Sequence, residues 1–378
     1  MIIIEPTKKN HEHLQVNAAF INLILATGIK DVAFYAEEEY GIQLKRLLGE
    51  TKFKWHSIRV RGSARKFDYP LHLVQQIQSI LTALSAPNAD GKAVVLSIDP
   101  LARLFFSILF NFRFRRAEIY MFYHGELEYL ERCTTAAQLV FFKMPLWANI
   151  KFRSDRVKNI VLSEGIKDEL NSRGNKGLLE SFLLPYSFSN VEATQKSKVG
   201  LFVVGLPGVA AARKGSHHVF ELADSLAYRE SEIEFRIIGR NDMLEKTPPI
   251  HRVKIVSQKA GLSVEEYEKN MHEIDIALYL YGTDSYLLTA SGAVFDAIRF
   301  EKPIVALRNA FFDELWAVAG DIGVLCNSVE EIAVTIEVFS KDRQRLSLYA
   351  ENMGRAKKEL ETIYRQSVKK IFFCSPDK

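Results

Sequence analysis

At 378 residues the chain is longer than one ordinary domain and fits two. Its 48% hydrophobic and 25% charged residues call for a folded core and exclude wholesale disorder. A net charge of +4 is too mild for a nucleic-acid binder, which carries a clustered basic stripe, yet it suits the handling of anionic phosphates or contact with an anionic membrane face. Cys133, Cys326 and Cys374 show no CxxC spacing, so neither a disulfide framework nor a zinc site is expected and a reducing, cytoplasmic compartment is the default. The start Met1-Ile-Ile-Ile-Glu5 lacks the basic region and cleavage site of a signal peptide. No uncharged apolar run approaches the ~20 residues that span a bilayer.

Along the first half, short apolar runs at residues 2–5, 32–36, 55–60, 93–98, 119–123 and 159–162 read as strands. Helical patterns at 14–27, 71–84, 101–112 and 127–142 lie between them. Strands apolar throughout and spaced by helices predict a parallel sheet covered on both faces. Residues 186–198 are polar, small and turn-forming, and mark a linker between domain 1–185 and domain 199–340. The strand rhythm then restarts at 199–204, 234–238, 252–256, 275–279 and 303–307. Ser263 with Glu266, and Ser328 with Glu331, have the spacing of capping boxes. The tail, 341–378, is a long charged helical pattern interrupted only by Gly354, suited to packing back on the first domain. The expected class is α/β: two Rossmann-like doubly wound domains facing across a cleft, with ligands beyond the carboxyl ends of the strands.

Two stretches of the second half carry phosphate chemistry. The strand at 199–204 ends in Gly205, and the following loop closes on Arg213-Lys214-Gly215 before a helix. Glycines allow tight turns there, and two adjacent cations suit a diphosphate, although a solvated Arg-Lys pair would look the same. The second stretch runs from the strand at 275–279 to Thr289-Ala-Ser291-Gly292, where a helix begins. Its unpaired amides and positive dipole end form an anion site, and Asp296, one turn on, is placed to reach a ribose hydroxyl. The bland alternative is a capped core helix with a solvent-facing Asp.

These residues resemble the donor-binding domain of GT-B glycosyltransferases, over about residues 198–307. In the large group related to bacterial sugar and mannosyl transferases, a strand ending in Gly is followed by a loop with Arg and then Lys-Gly. Gly205 and Lys214-Gly215 match; Leu206 stands where that group has its Arg, and Arg213 is the substitute. Asp296 matches the group's second acidic position by its distance to Lys302-Pro303, whereas the first falls on Leu288. Thr289-Ala-Ser-Gly292 looks like divergent members whose Ser-Gly amides hold the phosphate. In the first half, His124-Gly125-Glu126 after the strand at 119–123 looks like the His-Gly of the GT-B cleft. There His124 would hydrogen-bond the transferred sugar and Glu126 would deprotonate an acceptor hydroxyl. His11 and His13, in the loop after the first strand, are weaker acceptor-side candidates, since residues two apart on a helix face different ways.

The resemblance implies a metal-independent hexosyltransferase without cofactor. It would move sugar from a nucleotide diphosphate-sugar to a saccharide or lipid-linked saccharide in glycan synthesis. Leu288 keeps open a catalytically silent nucleotide-sugar-binding scaffold; an epimerase of the same architecture would carry more carboxylates. The aromatic run 101–116, ending in Arg113, Arg115 and Arg116, reads either as a buried helix or as an edge that touches an anionic membrane.

Overall fold

The computed structural model describes residues 1–9, 12–29, 31–49, 53–61, 68–85, 91–113, 117–152, 154, 156–175, 179–188, 200–227, 232–243, 253–256, 261–282 and 286–373. By their contacts they divide into two units: Met1–Ser187 with Leu288–Ala290 and Ile363–Lys378, and Phe188–Leu287 with Ser291–Thr362. Most of the expected linker, together with Arg115, Arg116 and Cys374, lies outside the described residues.

The first unit holds β1 (Ile2–Ile4), β2 (Ala33–Ala36), β3 (Lys54–Ser57), β4 (Lys92–Val95), β5 (Glu118–Phe122), β6 (Val157–Val161) and β7 (Leu179–Ser181). They form one parallel sheet in the order β3-β2-β1-β4-β5-β6-β7. Ile3 pairs with Phe34 on one side and Val94 on the other. All three residues of β1 are buried, which is why the strand is apolar without alternation. The end of the chain's last helix, Arg343–Phe372, also counts here: Phe372 lies 5.8 Å from Phe20 and 4.7 Å from Tyr120 between ring centres. That helix passes Gly354 without a break.

The second unit holds β8 (Phe202–Pro207), β9 (Ile233–Ile238), β10 (Val253–Ile255), β11 (Ile276–Tyr279), β12 (Ile304–Leu307) and β13 (Gly323–Cys326). Again the sheet is parallel, in the order β10-β9-β8-β11-β12-β13. Its core joins Phe202, Val204, Phe235, Ile276, Leu278 and Val305 to helix residues such as Val219, Ile332 and Ile336. In each sheet the strand order reverses once, between β1 and β4 and between β8 and β11. A crevice opens there at the carboxyl edge, where doubly wound sheets take their ligands.

Several expectations shift. The helix expected over 127–142 is not one helix. A 3-10 turn, Gly125–Leu130, ends, and Thr135 with Gln138 forms a capping box that opens a new start. A π-helical turn, Leu139–Lys143, then leads into Met144–Lys151. The strand expected to stop at residue 204 continues to Pro207. At Ser263 both halves of the capping box form. At Ser328 only one does, because the Glu331 carboxylate accepts from the Asn327 amide instead, at 2.7 Å.

Candidate functional site

The crevice between β8 and β11 brings the two phosphate-type loops together. Gly205 is not the turn glycine: inside β8, a Cβ there would meet Ile274 at 2.7 Å, so its smallness serves packing. The turn falls on Gly208, at φ +93, whose added Cβ would lie 2.8 Å from the Cβ of Ala293. Backbone of the first loop therefore runs against the first turn of helix Gly292–Arg299. At the far end of the loop Gly215 has φ +66, and a Cβ there would sit 2.1 Å from the Leu280 carbonyl oxygen. Only glycine fits both demands.

Between these glycines the short turn Ala212–Lys214 sends Arg213 to solvent and Lys214 inward. The Lys214 ammonium is buried, 5.6 Å from the ring centre of Tyr281 and 5.7 Å from that of Tyr286, within cation–π range. Those rings stack at 4.1 Å, and Phe312 lies 5.7 Å beyond Tyr281. Tyr286 holds a positive φ of 67, an uncommon conformation for an aromatic residue. The Tyr281 hydroxyl shares a hydrogen bond with Ser291 Oγ at 2.9 Å. Burial pushes that phenol up to about 12, so it remains a neutral hydroxyl.

Ser291 occupies the helix N-cap, but its hydroxyl serves Tyr281 rather than the helix amides. The first helical N–H groups thus have no side-chain cap from it. Asp296 lies one turn further in and accepts from the Tyr267 hydroxyl at 2.9 Å. Lys214 and Ser291 are thus gathered by one aromatic residue, Tyr281, which no sequence motif marked. Tyrosines at the carboxyl end of a strand that leads to a helix start were its only signal.

In the first unit, β5 delivers His124 to its carboxyl end. Its Nε2 lies 2.6 Å from the Leu96 carbonyl, so Nε2 carries the proton and Nδ1 is left as an acceptor. Burial, helped by the charge of Lys8, lowers this imidazole to about 4. His124 is therefore neutral at pH 7. His13, at the N-cap of helix Leu14–Leu25 with φ 58, places its ring 4.7 Å from that of His124. Burial and the neighbouring His124 hold it well below the ordinary value, and its Nδ1 is buried without a hydrogen bond. His11 lies outside the described residues.

Glu126 accepts the backbone N–H of His124 at 2.9 Å and faces the Arg103 guanidinium at 3.6 Å. Burial raises its pKa while Arg103 opposes the rise. The carboxylate thus anchors the turn after β5. Arg103 is fully buried in helix Pro100–Arg113, giving hydrogen bonds to the Met121 and Phe122 carbonyls and to Asn159 at 2.9 Å. A lone cation in an aromatic run is costly unless paired, and that was the sequence signal for it. Leu288 is buried with Tyr123, Leu127, Leu146 and Ile150 of the first unit's core, so a packing residue stands where the resemblance has an acid.

At the crevice between β1 and β4 the chain places a buried carboxylate that collects the donors around it. Buried Glu5 accepts from Thr7 and Lys8 amides at 3.1 and 3.2 Å, from Asn17 at 3.0 Å, and from the hydroxyls of Thr7 and Ser97. Asn17 also donates to Tyr40 at 2.8 Å. Among the described residues no group of three or more His, Cys, Asp or Glu side chains gathers as for a metal.

No known family's sequence profile matches the chain, and no curated protein matches it in sequence. Solved structures do. Anabaena HepE, determined with UDP and glucose, superposes with a TM-score of 0.65 at 15% identity, covering 98% of each chain. A mutant of Staphylococcus aureus TarM, with fondaparinux, alpha-GlcNAc-glycerol and UDP, gives 0.65 at 10% identity over 99% of each. A Listeria monocytogenes protein assigned as a UDP-N-acetylglucosamine 2-epimerase gives 0.55 at 10% over 94% of each. The chain has the GT-B fold, that of glycosyltransferases such as HepE and TarM.

Proposed function

We propose that the protein is a glycosyltransferase that takes a sugar from a nucleotide diphosphate-sugar. The observation that carries this reading is the convergence of Lys214, the Ser291–Gly292 helix start and the glycines 208 and 215 at the β8/β11 crevice. Lys214 is a buried cation held over two aromatic faces, and the helix start at Ser291, whose hydroxyl bonds Tyr281, carries amides with no side-chain cap. A diphosphate leaving group would be stabilised there as its charge develops, so the reading asks for no metal ion. In this reading exposed Arg213 would add positive charge, and Asp296, which accepts from Tyr267, would also accept from a ribose hydroxyl.

In the first unit His124 rather than Glu126 suits contact with a sugar hydroxyl, as a neutral acceptor with a fixed tautomer. The acceptor in this reading is a saccharide or lipid-linked saccharide; a lipid-linked one would place the enzyme at the inner face of the cytoplasmic membrane. UDP in the HepE and TarM structures supports a uridine diphosphate donor as the first to test. Leu288, spent on packing, favours one second reading, a silent nucleotide-sugar-binding protein. Release of UDP from UDP-sugars with saccharide acceptors present distinguishes them. Turnover supports transfer, UDP-sugar binding without turnover supports the silent reading, and interconversion of the free sugar nucleotide points to an epimerase.

A further inference from the structure

Three helical segments of the first unit bury polar side chains beside their apolar core residues and leave large apolar ones exposed. In helix Tyr69–Leu84 the inward side chains include His72, Gln75, Gln76 and Ser79, whereas Leu71 and Val74, both more than half exposed, face outward. The inward polar groups are satisfied: His72 contacts Asp99 at 3.0 Å and the Arg61 carbonyl at 2.9 Å, and Gln75 accepts the Arg61 amide at 2.6 Å. Helix Pro100–Arg113 likewise buries Arg103 and Ser107 and exposes Phe105 and Ile108. Segment 136–151 buries Asn149, bonded to the Pro100 and Pro145 carbonyls, and exposes Val140 at 52% and Met144 at 58%. Leu139 and Phe141, in the same π-helical turn, are exposed beside Val140.

These segments are neighbours. Helix Pro100–Arg113 touches the other two, and Tyr69 meets Phe141 at 5.2 Å. More than half of the large apolar side chains exposed among the described residues lie on them. A cluster of exposed large apolar side chains of this size marks an interaction surface.

Charge names the medium. None of the three segments contains a single Asp or Glu, in a chain with 46. Their cations include Lys143 and Lys151, neither of which has an acidic partner among the described residues, with Lys151 lying 5.3 Å over Trp147. A second copy docked on the same face would bring lysines to lysines with no counter-charge. We infer that helices Tyr69–Leu84 and Pro100–Arg113 with segment 136–151 form a docking surface for an anionic lipid bilayer. Apolar side chains would enter the acyl boundary while the lysines reach the headgroups. The surface stands on the first unit alone and does not depend on the donor reading.

The test uses the full chain and vesicles of phosphatidylcholine with or without an equal amount of phosphatidylglycerol, in flotation without nucleotide. Binding is expected to the anionic vesicles and to fall with salt. Removing both cations (Lys143→Gln with Lys151→Gln) should lower partition about thirtyfold. Val140→Asp with Met144→Asp, at exposed positions, should reduce it to background while the thermal midpoint is kept. No binding to anionic vesicles at low salt overturns the inference. So does equal binding by the Val140/Met144 variant, or concentration-dependent self-association of the wild type that this variant abolishes, which would make the face a contact between copies.

Discussion

At the β1/β4 crevice the chain places a buried carboxylate, and at the β8/β11 crevice it places two positive-φ glycines, a lysine and a helix start without a side-chain cap. The topology is the same; the materials are opposite. Glu5 gathers donors from its own loop, from Asn17 and from Ser97, so the first crevice satisfies itself. The second gathers backbone donors and positive charge, which is what an anionic ligand requires. One crevice thus satisfies its own buried carboxylate, and the other carries the cation and helix start of the proposed phosphate site.

The largest effect that would break this contrast lies at Glu5. Glu5→Ala strands several buried donors, and a loss of about 4 kcal/mol of stability is expected in denaturant unfolding. Nucleotide affinity of whatever remains folded should be unchanged; a weakened affinity at unchanged stability would make Glu5 a ligand residue. Gly215→Ala combines a left-handed backbone with a Cβ 2.1 Å from the Leu280 oxygen. It should cost about 3 kcal/mol and abolish diphosphate binding, and a variant of wild-type midpoint would refute the turn's role.

The histidine pair sets a pH dependence. His124 titrates near 4 when folded and near its ordinary value of 6.5 when unfolded, so the unfolded chain binds the extra proton between them. Stability contributed by the neutral ring is complete above 6.5 and is lost as pH falls toward 4, by on the order of 1–3 kcal/mol. Unfolding curves across that window should steepen for wild type and flatten for His124→Asn; equal slopes would contradict the assignment. The smallest effect belongs to Tyr281→Phe. It keeps the ring stack and loses the bond to Ser291, and should weaken diphosphate binding by about 1 kcal/mol with little change in thermal midpoint.

Strand positions were legible because fully buried parallel strands are uninterrupted apolar runs, as Ile2–Ile4 and Ile276–Tyr279 show. Strands β7 and β13 were not, being a three-residue, half-buried edge and a strand opened by Gly323. Gly215 and Lys214 could be read from the loop, but the turn glycine could not be told from Gly205. That distinction depends on where β8 stops, and Leu206 and Pro207 extend its pairing to Ile237 and Ile238. Tyr281 was invisible for a different reason: its part in the site comes from stacking with Tyr286 and Phe312, which only the folded sheet brings to it.

The central claim is that the β8/β11 crevice binds a nucleoside diphosphate through Lys214, and a thermal-shift and calorimetric panel of UDP, GDP, ADP, TDP and CMP tests it most directly. The account predicts that at least one diphosphate raises the midpoint, and that Lys214→Ala weakens diphosphate affinity about tenfold to a hundredfold while the ligand-free chain still unfolds in one cooperative transition. No shift with any diphosphate, or the same affinity in Lys214→Ala, would contradict it.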